Sequence, residues 1–366
     1  MPKQINILHL DTEKTWRGGQ QQVFYLHKGL ISEGIKSILV SNTGSEILDR
    51  CKEESLPHYT ISMFGELDIF AAFKLSRLCK KENINILQAH SAHALSIGIF
   101  TKLFSPSLIL IGVRRVDFSI GKSIFNKLKY NNGKVDKLIC ISDYIKKVLL
   151  KDGIPEEKLV TVRSGVDINK FDDIKPPENF RNNLGIKKDE YLIGTVAAFA
   201  GHKDYPNLLK AFSILRKRNP NIKLCIVGDG SLKKQVYDLA NELNIFENII
   251  FTGYVNNVGN YLKSFDVFVL ASKKEGLGTS IIDALAIGCP VVTTRTGGIP
   301  ELIENEENGI LVDPKNPNLL ADALGDLLSN SEKRSRLSIA AKESAKKYSI
   351  EQTVNQNISV YKSLIN

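Results

Sequence analysis

Residues 272–283 read SKKEGLGTSIID, and this stretch decides the fold. Before it, Ser264–Ser272 (SFDVFVLAS) reads as a buried strand. After it, Ser280–Ile287 places Ile281, Ile282, Leu285 and Ala286 on one side of a helix. The segment is therefore a strand, a glycine turn and a helix start. Its glycines allow a ligand close to the backbone, and the first amides of a helix lack internal acceptors and suit a phosphate. Glu275 stands before that anion site and Asp283 two turns beyond it. Carboxylates flanking a phosphate site suit a ligand with phosphates in the middle and hydroxyl-bearing sugars at both ends, such as a nucleotide sugar.

The segment resembles the Glu-x7-Glu signature of retaining family-4 glycosyltransferases of the GT-B fold, with Asp283 at the second acidic position, one methylene shorter. The resemblance implies an α/β protein of two Rossmann-like, doubly wound domains facing a cleft, with a nucleotide-sugar donor on the second domain. It places Glu275 on donor sugar hydroxyls and Asp283 on the nucleotide ribose. Gly276, Leu277, Gly278 and Thr279 form the turn that meets the diphosphate.

The rest of the chain follows that plan. Strands are expected at Ile5–Leu10, Lys36–Val40, Ile84–Gln88, Leu108–Val113, Lys137–Ser142 and Val160–Arg163, with helical patterns at Gly19–Ser32, Ile69–Lys81 and Ile141–Lys151. The alternation restarts with strands at Tyr191–Ala197, Ile222–Val227, Ile249–Thr252, Val267–Leu270, Pro290–Thr294 and Gly309–Val312. Strands alternating with helices imply parallel sheets covered on both faces. An Asp-, Asn- and Pro-rich stretch divides the halves. The expected organisation is an acceptor-side domain at 1–166, a linker at 167–180, a donor domain at 181–347 and an amphipathic tail at 348–366. The resemblance implies that this tail crosses back onto the first domain.

Other segments carry chemistry. GTVAAFAGHKDYPNLLKAF (Gly194–Phe212) resembles the family's phosphate-binding segment; Lys203 matches its lysine, and Ala198 stands where its arginine is usual. A lysine at a strand end can neutralise a diphosphate leaving group. Gly228 and Asp229 (VGDG), and TGYV at Thr252–Val255, end strands near the expected nucleotide. In TGGIPE (Thr296–Glu301), Gly297 and Gly298 are candidates for the sugar pocket, and Glu301 is expected to cap the next helix. Gly18 and Gly19, between the first strand and first helix, resemble the family's Gly-Gly loop facing the donor phosphates; Trp16 and Arg17 flank it, as substrate contacts or as a packed ring beside an exposed cation. The loop is not Gly-x-Gly-x-x-Gly, so a dinucleotide reading finds no support. His90, in QAHSAH, is placed at the reacting centre by resemblance, making Glu275, His90 and Lys203 the catalytic candidates. Arg114 and Arg115 are candidates for acceptor or donor phosphate, or for a basic surface.

No Asp-x-Asp occurs, and His90 and His93 lack an evident third ligand, so neither metal nor other cofactor is expected. The five scattered cysteines read as reduced, buried and apolar, as in a cytoplasmic protein. No apolar run reaches the roughly 20 residues that span a bilayer, and the start MPKQINILHLDTEKTW reads as a strand rather than a signal peptide. Of the net charge of +9, +8 falls in residues 1–165. Arg114–Lys137 holds seven basic and two acidic residues beside Phe118, Ile120, Ile124, Phe125, Leu128 and Tyr130. With Lys122, Lys127 and Lys129, this suits peripheral docking on an anionic inner membrane face, or a helix packed on the core. No recognition motif supports nucleic acid. The expected activity is transfer of a sugar to a glycan or lipid-linked acceptor in lipopolysaccharide or other cell-envelope synthesis. A nucleotide-sugar epimerase or a non-catalytic nucleotide-sugar-binding homologue is the alternative, the latter favoured by Asp283 and Ala198.

Overall fold

The structure is a computed structural model that describes residues 4–121 and 124–365. The chain divides into two compact units, one formed by residues up to Asp167 together with those from Ser349 on, the other by Ile168–Tyr348.

The first unit holds a seven-stranded sheet: β1 Asn6–Leu10, β2 Lys36–Ser41, β3 His58–Thr60, β4 Ile86–Ala89, β5 Ile109–Arg114, β6 Lys137–Cys140 and β7 Leu159–Thr161. Their order is β3-β2-β1-β4-β5-β6-β7, and neighbouring strands pair in parallel. Buried from both sides, these strands are apolar runs rather than alternating ones. Ile7, Ile86, Ile111 and Ile139 from the sheet pack with Leu26 and Leu30 of the helix Gly18–Ser32. The helix Ile350–Ile365 completes this core through Val354, Val360, Tyr361 and Ile365. Its Tyr361 is fully buried, and the hydroxyl donates to Gln88 and lies 3.2 Å from Asn357 Oδ1. β3 and the helix Glu46–Glu53 are additions to the sequence expectation. β3 has three residues, none buried, so it offers no apolar run to read.

The second unit holds β8 Tyr191–Val196, β9 Ile222–Val227, β10 Ile249–Gly253, β11 Val267–Leu270, β12 Val291–Thr294 and β13 Ile310–Val312, in the order β10-β9-β8-β11-β12-β13, again all parallel. Asp167–Phe180, read as a linker, contributes a 3-10 turn at Asn169–Phe171 whose Phe171 is buried, and its residues from Ile168 on belong to this unit. Glu301 does not cap the next helix: it ends the 3-10 turn Ile299–Glu301, and the helix Pro317–Ser329 takes its cap from Asn316, whose side chain accepts from Leu319 N. All five cysteines are buried free thiols, each pushed up to about 12 or higher by burial.

Both sheets are doubly wound, with the strand order reversing once: between β1 and β4 in the first, and between β8 and β11 in the second. At such a reversal the following loops diverge to opposite faces and leave a crevice at the strands' C-terminal ends, where open α/β sheets take their ligands.

Candidate active site

In the second unit, Lys203 follows β8 and Glu275 follows β11, so the reversal brings together two residues 72 positions apart. Lys203 closes the 3-10 turn Gly201–Lys203, and Asp204 after it takes a left-handed conformation (φ +51°) before the helix Tyr205–Arg218. Lys203 Nζ is ion-paired with Glu275 Oε2, which also accepts from Ser272 Oγ at 3.2 Å. Only 15% of the lysine side chain and 13% of the glutamate side chain are exposed.

Three loops are laced together around Glu275. Lys273 N donates to His202 O at 2.9 Å, joining the loops after β11 and β8. Thr296 Oγ1 donates to Lys273 O at 3.1 Å, and Gly298 N donates to Glu275 O at 3.0 Å, joining the loop after β12. Gly297 has φ +58°, and a Cβ there would fall 1.8 Å from Glu275 O. TGGIPE therefore serves as the bed on which the Glu275 backbone rests.

Gly278 has φ +97°, which turns the chain into the helix Thr279–Ala286. The Leu277 side chain is buried, so within this turn only its backbone can meet a ligand. Gly276 is buried as well, and Thr279 is half-buried at the helix start. Asp283 lies in the second turn of that helix, buried, with Lys170 Nζ 2.9 Å from its Oδ1. Each acidic residue of the motif thus has its own lysine partner. Lys170 was not singled out in the sequence, because it arrives from the segment read as linker, 113 positions away.

Gly228 (φ +146°) lies against the loop after β8, where a Cβ would fall 2.2 Å from Ala197 O, and its N–H donates to Gly253 O at 2.9 Å. It joins VGDG to TGYV and to the Lys203 loop. Asp229 is exposed, accepts from Gly230 N and pairs with Lys233 at 3.1 Å, which lowers its pKa. Ala198 is exposed and brings no charge to the site.

The first unit repeats the arrangement. Asp11 and the Gly18–Gly19 loop follow β1, and His90 follows β4. Gly18 and Gly19 are the first residues of the helix Gly18–Ser32, with Arg17 exposed before them, while Trp16 packs on Phe24 and beneath Arg50. The Arg115 stem passes Gly19, where a Cβ would lie 3.7 Å from its Cδ. Its guanidinium reaches His90 Nδ1 at 3.3 Å and Ser164 Oγ at 3.4 Å. An arginine can only donate, so His90 Nδ1 accepts and His90 Nε2 carries the proton. That proton points to His9 Nδ1 at 3.0 Å. One tautomer therefore runs through the chain Arg115, His90, His9, and both His90 nitrogens are engaged.

Burial, reinforced by neighbouring ring and guanidinium charges, holds His9 and His90 well below the usual histidine pKa. Burial also lowers Arg115 to about 10, opposed by the Asp11 carboxylate, and raises Asp11 to about 6 against its bonds from Glu13 N and Gln20. Neither Asp11 nor His9 was singled out from the sequence. The only signal was polarity within and just after the apolar strand of HLD.

Arg114 is the last residue of β5 and Arg115 the first beyond it, and the two take different partners. Arg114 is buried, donates to Tyr130 Oη at 2.9 Å and Phe118 O at 2.6 Å, and lies over both rings, so it belongs to the interior rather than to a basic surface. Of the apolar residues beside it, Ile120 and Tyr130 are buried, and Phe118 and Leu128 are exposed. Lys122 and the side chains of Ile124 and Phe125 lie outside the described residues.

Comparison with known proteins finds glycosyltransferase families over both halves of the chain. Residues 177–344 match the family described as glycosyl transferases group 1, and residues 16–170 match glycosyltransferase family 4. The O-antigen biosynthesis glycosyltransferase WbnH of Escherichia coli is 30% identical over 67% of this chain and 68% of its own. An uncharacterized glycosyltransferase of Methanocaldococcus jannaschii is 33% identical over 57% of this chain, which spans about half (55%) of that relative. Among solved structures, HepE of Anabaena in complex with UDP and glucose superposes with a TM-score of 0.88 at 18% identity, covering 98% of this chain and 100% of its own.

Proposed function

The chain belongs to the glycosyltransferases of group 1 and family 4, and from that premise we propose a retaining, metal-independent transfer of a sugar from a nucleotide-sugar donor to a glycan or lipid-linked acceptor of the cell envelope. The observation that carries the reading is the Lys203–Glu275 pair beside the helix start at Thr279, at the strand-order reversal of the second sheet.

In this reading the donor diphosphate meets Lys203 and the backbone from Leu277 to Thr279. Glu275 accepts hydrogen bonds from donor sugar hydroxyls, and Asp283, held by Lys170, accepts from the ribose. The acceptor hydroxyl oxygen bonds to the anomeric carbon as the bond to the diphosphate oxygen breaks. The acceptor proton passes to the leaving diphosphate, and attack from the leaving-group face retains the anomer. A fixed cation and helix-terminal amides stabilise the departing charge without a divalent ion, and cost no reorganisation when it develops. HepE, in complex with UDP and glucose, supports a UDP-sugar as the first donor to try. WbnH, named for O-antigen biosynthesis, supports a cell-envelope acceptor.

The +8 charge of residues 1–165 supports a cytoplasmic enzyme that docks on an anionic inner membrane face. Among the described residues, no helix is long and apolar enough to cross a membrane.

The test is a panel of UDP-, GDP- and ADP-sugars in the presence of EDTA, read by thermal shift, donor hydrolysis and NMR of the product anomer. The expected result is stabilisation and turnover with one nucleotide class and a retained anomer. An inverted anomer removes the retaining assignment, and activity that requires added manganese or magnesium removes the metal-independent one.

A further inference from the structure

The helix Ile69–Lys81 and the turn before it show an apolar exposure that the glycosyl-transfer chemistry does not use. Phe64, Leu67 and Phe70 are 91%, 76% and 84% exposed, and Ile69 and Phe73 are about half exposed. Exposure this near to complete describes a protruding tip, since residues of a flat patch shield one another. Phe73 sets its ring edge-on to Phe104 of the helix Ala92–Phe104 at 5.5 Å, so the apolar surface continues to Phe104 and the half-exposed Leu103.

The tip is held rather than frayed. Asp68 caps the helix by accepting from Ala71 N at 2.9 Å, and it also takes Phe64 N at 3.0 Å. Met63, buried, donates its N–H to Asn42 Oδ1 at 2.7 Å. Glu66 is ion-paired with Lys129 of the helix Ile124–Tyr130. Both acids of the turn are therefore engaged locally, one as a cap and one in a pair. The outward line of Ile69–Lys81 runs from Phe70 and Phe73 to Lys74, Arg77 and Lys80, all exposed. An apolar tip at the helix start is followed by cations along the same face.

We propose that the Phe64–Phe73 tip inserts into the acyl boundary of a bilayer while Lys74, Arg77 and Lys80 meet its anionic headgroups. The inference rests on the reading of an enzyme docked on an anionic membrane, and it names the element that anchors it. A protruding apolar tip with a one-signed basic flank is complementary to such a surface. A protein partner fits less well, because interface cores are depleted of charge and complementary in shape.

The test is co-sedimentation of the full chain with vesicles of phosphatidylcholine alone or with a quarter phosphatidylglycerol, at low and raised salt. Wild type is expected to bind the anionic vesicles in a salt-sensitive way. Phe64→Ser/Phe70→Ser is expected to lower the partition coefficient at least tenfold, with the melting temperature and donor hydrolysis unchanged. Phe64→Trp, compared with wild type to subtract the emission of Trp16, is expected to fluoresce further to the blue on anionic vesicles and to be quenched by brominated lipid. Wild-type affinity in the double-serine variant, or an unshifted emission from bound Phe64→Trp protein, overturns the insertion while leaving electrostatic docking in place. No vesicle binding by wild type overturns both. A dimer in solution that the double-serine substitution dissolves reassigns the tip to a second copy of the chain. Donor hydrolysis reports on the glycosyltransferase reading independently of all these outcomes.

Discussion

Glu275 and Lys203 share one contact, and that contact shapes how their substitutions combine. Glu275→Gln removes a charged acceptor from the sugar hydroxyls, and such bonds contribute on the order of 1.5–3 kcal/mol. Turnover is expected to fall at least tenfold with the fold intact. Lys203→Ala is expected to cost at least about tenfold as well, roughly 1.4 kcal/mol of transition-state stabilisation, because Ala198 brings no second cation. Residues in contact do not add, so the double variant should lose less than the product of the two; steady-state kinetics of all three variants decide this. Asp11 has a pH-dependent consequence. Its pKa of about 6, against the usual 3.8, means the folded chain holds a proton that the unfolded chain releases. The stability it contributes is therefore full below about 3.8 and lost as pH rises through 6. His27 works the other way: burial lowers it from 6.5 to about 4, so its contribution is lost as pH falls through that window. Asp11→Asn keeps an acceptor for Glu13 N, and should raise the urea midpoint at pH 8 by more than at pH 4.5. An equal gain at both pH values would show that Asp11 is not buried as a charge.

At the scale of elements, the loop after β12 offers the sharpest test. Gly297→Ala places a methyl against the Glu275 carbonyl, at a φ that side chains avoid. Since packed backbone cannot yield cheaply, the Glu275 loop should move, with loss of about 1–3 kcal/mol of stability and most activity. Normal turnover in this variant would contradict the laced-loop account. Ala at Gly298, whose φ is −84°, should be milder. The elements were legible where apolar runs were continuous: β9 and β11 match their expected bounds, and the helix Ile69–Lys81 does so to the residue. They were not legible where burial is slight, as in β3. Lys203, Glu275 and Asp283 were readable because each sits in a local strand–turn–helix pattern. Lys170 and His9 were not, because their partners Asp283 and His90 come from remote segments; Asp11, held by nearby Glu13 and Gln20, was not because one acid after a strand carries no distinguishing pattern. Arg114 and Arg115 looked alike in sequence, and only their partners in the fold distinguish them: Tyr130 and Phe118 for the first, His90 and Ser164 for the second.

For the whole molecule, two units with separate cores imply separable unfolding. Calorimetry is expected to show two transitions. A nucleotide sugar at about 100 times its dissociation constant should raise chiefly the one belonging to Ile168–Tyr348, by roughly 2.7 kcal/mol. A single transition that the ligand shifts as one would refute separate donor binding. The first unit is discontinuous: its sheet comes from residues before Asp167, and one wall of its core, Val354 to Ile365, comes from residues after Ser349. During synthesis the ribosome releases these parts in that order, with the whole second unit between them. At about 5–20 residues per second the interval is roughly 10–40 s. Throughout it, the core around Ile7, Ile86 and Ile111, already met by Leu26 and Leu30, lacks the helix Ile350–Ile365 that completes it. The nascent chain therefore completes its second unit first and carries an unfinished first one, a natural client for a chaperone until the last helix emerges.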